Sequence, residues 1–136
     1  MGDWRADLCR DAYTAFQRLD FASAAELYDR DCAWHVGAAS AALGQETYRG
    51  HEGLRKLIGD IGDVFPDWNP QIEELRLRDD GALLVRAHAG ATSRDSGMAL
   101  EMAALGQVIE FQGRLILRVS QTGFPPPGWD EAVEVA

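Results

Sequence analysis

Thr47-Tyr48-Arg49-Gly50-His51-Glu52-Gly53-Leu54, running on through Leu57, Ile58, Ile61, Val64 and Phe65 to Pro66, decides how this chain folds. The apolar residues recur at i, i+3, i+4 and i+7, so a helix over about 51–65 carries one apolar face that must be buried. Glu52 falls in the first turn, where a carboxylate favours the positive end of the helix dipole. Pro66 forbids continuation. Gly59 and Gly62 lie inside the pattern at about 1 kcal/mol each against alanine, which points to close packing on a sheet or to tolerance in a well-buried helix. Just upstream, Trp34-His35-Val36 reads as the end of a strand over about 32–36, followed by a small polar loop from Gly37 to Glu46.

Toward the N-terminus, Trp4, Leu8, Ala12, Ala15 and Leu19, widened by Tyr13 and Phe16, predict a helix over 3–19. Asp20 can cap a second, short helix with Phe21, Ala24, Ala25 and Tyr28 on its buried side, and Asp31 ends that helical part. Past Pro70 the period changes to strands. In 71–78 Leu75 and Leu77 alternate with Glu74, Arg76 and Arg78, while Ile72 is out of phase and predicts a bulge. Asp79-Asp80-Gly81 is a tight turn into a strand over 82–92. A long strand over 98–111, irregular at Gly106, turns at Gln112-Gly113 into Leu115, Leu117 and Val119. Pro125-Pro126-Pro127-Gly128 cannot join a sheet interior, and Trp129 to Ala136 are expected to form a short helical turn or a loose tail. Helices first and antiparallel strands after them give an α+β domain: a cone-shaped, strongly bent antiparallel sheet covered by three N-terminal helices, its mouth a natural pocket. A single domain over 1–136 is expected, its core at about 8–122 and its tail at 123–136.

The formal net charge of −9 argues against nucleic acid as a partner, because phosphate binding needs a basic surface. No run approaches the roughly 18 apolar residues of a membrane span, and Met1-Gly2-Asp3-Trp4-Arg5 has no signal-peptide pattern. Cys9 and Cys32 lack metal-ligand spacing and read as reduced, buried thiols of a cytoplasmic protein. No histidine pair has zinc spacing, and no glycine loop, nucleophile elbow or Cys/His pairing suggests a cofactor or a covalent mechanism, so neither metal nor cofactor is expected.

Taken together, Tyr13-Thr14-Ala15-Phe16, Asp20 to Tyr28 with Asp31, Trp34-His35-Val36, Tyr48 to Leu54, Ser96-Gly97 and Phe111-Gln112-Gly113-Arg114 resemble the SnoaL-like proteins of the nuclear transport factor 2-like superfamily. The resemblance covers about residues 8–122 and implies a curved sheet, three helices, a deep apolar pocket and a homodimer formed through the sheet. It does not imply one chemistry, since members include ketosteroid isomerase, scytalone dehydratase, limonene epoxide hydrolase, polyketide cyclases and binding modules. Carried over residue by residue, the isomerase's carboxylate base falls at Val36, its oxyanion-hole tyrosine at Ala12 beside Tyr13, and its late-strand acid at Gln107. No base stands at Val36, and the amide of Gln107 cannot transfer protons as an acid does, which argues against isomerase chemistry.

The residues expected to line a ligand site are Tyr13, Trp34, Val36, Gln107, Ile109, Phe111 and Arg118. Strand alternation puts Gln107, Ile109 and Phe111 on one face, and an amide among apolar walls would orient a mostly apolar ligand. Parity with Val36 turns His35 away from the cavity. Counting from Gly113-Arg114 turns Arg118 and Ser120 inward, where Arg118 would hold an anionic ligand or pair with Glu101 or Glu110. Leu84, Arg86 and His88 mark an open sheet face for a second copy of the chain. The function that fits is a SnoaL-like pocket for a small hydrophobic molecule, to which the sequence assigns no reaction. The alternative is a cofactor-independent isomerase, cyclase or dehydratase acting on a polyketide- or steroid-like substrate.

Overall fold

The computed structural model describes residues 3–135. Helix α1 (Trp4–Gln17) starts at Asp3, whose carboxylate accepts from the Arg5 backbone N–H at 2.8 Å, and buries Ala6, Cys9, Ala12, Ala15 and Phe16. Helix α2 (Phe21–Ala25) is capped the same way by Asp20, which accepts from Ser23. It is shorter than expected: strand β1 (Tyr28–His35) begins at Tyr28, so that tyrosine enters the sheet and not the helix. A 3₁₀ turn (Gly37–Ala39) and a one-turn helix α3 (Ser40–Leu43) occupy most of the small polar loop expected over 37–46. Strand β2 (Thr47–Arg49) then leads into α4 (Gly50–Val64), which buries Leu54, Leu57, Ile58 and Ile61 as its spacing requires. Gly53 lets the start of α4 sit on β2, since a Cβ there would lie 2.8 Å from the Tyr48 carbonyl carbon.

Strands β3 (Asn69–Leu77), β4 (Leu83–Thr92), β5 (Ala99–Gln112) and β6 (Leu115–Gly123) follow, and β7 (Val133–Val135) is the last described element. They form one seven-stranded sheet in the order β2-β1-β6-β5-β4-β3-β7. All neighbours are antiparallel except β1 and β6, which run parallel. The sheet is bent but not closed, and α1, α2 and α4 cover its concave face in the α+β arrangement expected. The anticipated bulge is present between Ile72 and Glu74. The irregularity expected at Gly106 lies instead between Met102 and Leu105, where Ala104 adopts φ 55°. Gly106 is regular strand. Its missing side chain admits β6, for a Cβ would stand 2.5 Å from the Gly123 carbonyl oxygen.

The tail is not loose. Pro126 and Trp129 are buried, and β7 pairs antiparallel with β3. The Trp129 ring lies under the Arg76 guanidinium at 4.3 Å, and Phe124 sits edge-on to it at 5.0 Å, itself beneath Arg86 at 5.2 Å. Arg76 and Leu84 are register partners, and Leu84 is 0% exposed in the single chain. Of the face expected to receive a second copy, Leu84 is therefore covered by the chain's own C-terminal segment, while Arg86 stays exposed and His88 half-buried. The prolines deny this segment ladder bonds but not packing, so a stretch unfit for a sheet interior makes a good cover over its outer face.

Candidate functional site

Between the helices and the concave face lies an apolar cavity of about 60 Å³. Helix α1 supplies Cys9, Ala12, Tyr13 and Phe16; α4 supplies Ile61; the sheet supplies Tyr28, Trp34, Ala87, Leu105, Gln107, Ile109, Ile116, Val119 and Gln121; and Trp68 and Pro70 close one side. A second hollow of about 80 Å³ lies against Val36, Ala39, Leu43, Leu57, Phe65 and Met102. Trp34, Ile61, Trp68 and Gln121 belong to both walls and separate the two spaces. Each volume is about half of the roughly 150 Å³ in which an apolar protein cavity holds benzene, so a ring-sized ligand needs both.

Two short hydrogen-bonded chains carry the polarity of the site. The Tyr13 hydroxyl donates to Gln107 Oε1 at 2.6 Å, and Gln107 Nε2 donates to Gln121 Oε1 at 2.9 Å. Separately, the Trp34 indole N–H donates to the Tyr28 hydroxyl at 3.1 Å. These bonds answer the cost of placing amides and phenols among aliphatic walls, about 1–3 kcal/mol for each group left unpaired. Gln107, the one buried amide side chain among the described residues, is thus held from both sides.

Among the described residues, no carboxylate, imidazole, ammonium or guanidinium lines the cavity. The ionisable groups that do line it are phenols and a thiol, and burial opposes their ionisation. It pushes the Cys9 thiol up to about 12, holds Tyr13 well above the ordinary tyrosine range, and raises Tyr28 against the opposing bond from Trp34. At neutral pH all three stay protonated, so none serves as a base.

The expected lining residues divide on this geometry. Tyr13, Trp34, Gln107 and Ile109 meet in the cavity. Val36 borders the second hollow. Phe111 has the inward parity of Ile109, but the register shifts between Glu110 and Phe111 and the ring packs edge-on against Trp4 at 5.2 Å, outside the cavity. Arg118 is turned outward and pairs with Glu110 at 2.9 Å. The cause is an extra residue in β6: Phe111 opposes Ile116 while Glu110 opposes Arg118, so Leu117 bulges and parity reverses beyond it. Val119 and Gln121 then face inward where Arg118 and Ser120 were expected. His35 faces away from the cavity and shares a hydrogen bond with Thr47 at 3.1 Å, and His88 lies 3.5 Å from Glu73.

Sequence reasoning did not single out Tyr28, Trp68 or Gln121. Tyr28 was assigned to the helix before it. For Gln121 a signal exists in Leu115-Ile116-Leu117, three apolar residues in a row that break alternation and mark an irregular strand.

The family description SnoaL-like domain matches residues 9–123. No curated protein matches the chain. Among solved structures, a nuclear transport factor 2-like protein of unknown function from Burkholderia pseudomallei is similar with a TM-score of 0.77, at 16% identity over 89% of this chain and 91% of that one. Bal32a, from a soil-derived mobile gene cassette, has a TM-score of 0.74 at 21% identity, covering 94% of this chain and 95% of its own. TerC co-crystallised with polyporic acid has a TM-score of 0.74 at 16% identity, covering 89% and 92%. At these identities the likeness is one of fold.

Proposed function

Because this chain belongs to the SnoaL-like domain family and walls its cavity with uncharged side chains, we propose that it binds a small hydrophobic molecule without transforming it. The observation that carries this reading is the lining itself: apolar surface, two short chains of uncharged hydrogen-bonded side chains, and, among the described residues, no group that exchanges protons near neutral pH. An isomerase, cyclase or dehydratase needs a base or acid within reach of its substrate, and burial keeps both cavity phenols from supplying a phenolate. The crystal of TerC with polyporic acid supports the reading to the extent that a similar fold accommodates a small organic molecule.

Toluene is a suitable probe. With Trp4, Trp68 and Trp129 replaced by phenylalanine, Trp34 emission is expected to change saturably as toluene is added. Ala12→Phe, which fills the cavity from α1, is expected to abolish the change. An emission that drifts linearly in both proteins would remove the pocket from consideration.

Self-association also belongs to this proposal. Beside the tail, the outer face carries a row without acidic, lysine or arginine side chains, Val108, Ser120 and His35, aligned across β5, β6 and β1. A second copy seated there would form a homodimer without displacing Trp129. Sedimentation velocity is expected to show a dimer at micromolar concentration that Val108→Lys dissociates; a monomer throughout sinks this part alone. The two buried free thiols agree with a cytoplasmic location, and among the described residues no helix is long and apolar enough to cross a membrane.

A further inference from the structure

The Tyr28 hydroxyl has one proton and a fixed direction of bonding. An indole N–H only donates, so in the Trp34–Tyr28 pair the phenol oxygen is the acceptor and its own proton must go elsewhere. Among the described residues that proton has no acceptor, although Tyr28 is 3% exposed and its side chain lines the cavity. At the end of the other chain, the Gln121 Oε1 is taken by Gln107, which leaves the Gln121 NH₂ as an unspent donor on the wall shared by both hollows. Turning both amides over frees the Tyr13 proton and presents Gln121 Oε1 in place of its NH₂, while the Tyr28 proton stays unspent in either arrangement. The site therefore has donors to offer and no charge.

Resting on the binding function proposed above, we infer that the ligand is an uncharged carbonyl compound, its oxygen accepting from Tyr28 with Gln121 as a second donor, and its apolar remainder crossing between Trp34 and Trp68 into the second hollow. A hydrocarbon fills the same space but leaves a buried hydroxyl unmatched. An ammonium ion adds donors where donors are already in surplus and loses its hydration with no counter-charge in the lining. The orientation follows from the walls, because the second hollow is bounded almost wholly by apolar side chains and Gln121 is the polar group it shares with the first.

Three molecules of nearly equal shape separate these cases: cyclohexanone, cyclohexane and cyclohexylamine, the last protonated at neutral pH. Calorimetry on the intact chain is expected to give cyclohexanone an affinity roughly fivefold or more above cyclohexane, the value of one net hydrogen bond, and no measurable heat for cyclohexylamine. An acceptor on the Tyr28 proton polarises its oxygen and strengthens the bond from Trp34. The Trp34 indole N–H resonance is therefore expected to move downfield with cyclohexanone and not with cyclohexane. Equal affinity for cyclohexanone and cyclohexane, or tighter binding of the amine, overturns the inference while leaving the pocket standing. A preference for the ketone without movement of the indole resonance overturns the placement at Tyr28. Binding of none of the three brings down the binding function and this inference with it.

Discussion

Leu57→Asp is expected to leave no folded protein. Leu57 is 1% exposed, lies on the buried face of α4 and forms part of the wall of the second hollow. Removing the leucine forfeits about 2–5 kcal/mol of packing. The new carboxylate must then either be buried without a partner or be protonated at further cost. The sum is of the order of the whole stability of a domain, about 5–15 kcal/mol. Far-UV circular dichroism and a urea titration read the outcome, and Leu57→Ala serves as the graded companion, folded but weakened. A Leu57→Asp protein that melts with the wild type would mean that this face of α4 is not against the sheet.

The second large effect is expected at the tail. Trp129 is 6% exposed, packs edge-on with Phe124, lies under Arg76 and accepts from Arg76 Nη1 through its backbone carbonyl at 2.8 Å. Trp129→Ala should cost about 3 kcal/mol, or about 10 °C in Tm for a chain of this length. Val133→Ala, at a residue 67% exposed, should stay within about 0.5 kcal/mol. If the two variants melt alike, the tail does not cover the sheet, and Leu84 becomes free to meet another chain.

What could be seen in the sequence depended on whether a repeat ran undisturbed. Helix α4 was legible because Leu54, Leu57, Ile58 and Ile61 keep the helical period without interruption, and Gln107 and Ile109 because that part of β5 alternates cleanly. Arg118 was misplaced because one inserted residue at Leu117 reverses every facing after it, and a bulge without glycine carries little compositional mark. Tyr28 was missed for another reason: its spacing from Phe21, Ala24 and Ala25 continues the helical period of α2, so the start of β1 does not show in the sequence although Tyr28 shares the parity of Trp34. The tail was hidden by its prolines, which report only that ladder bonds are lost and say nothing of which surface their rings lie on.

The placement of β7 bears on how the protein behaves in concentrated solution. An unpaired strand edge is a template on which other chains can add. Here the nine-residue β3 would be such an edge, but β7 lies along part of it and becomes the outermost strand on that side. The outermost strands are then β2 and β7, each three residues long, one carrying Arg49 and the other Glu134. Short, charged borders on a chain of net charge −9 offer little purchase for stacking. Trimming the last few residues would uncover Leu75 to Leu77 along the β3 border, and the first sign of their loss would be turbidity on standing.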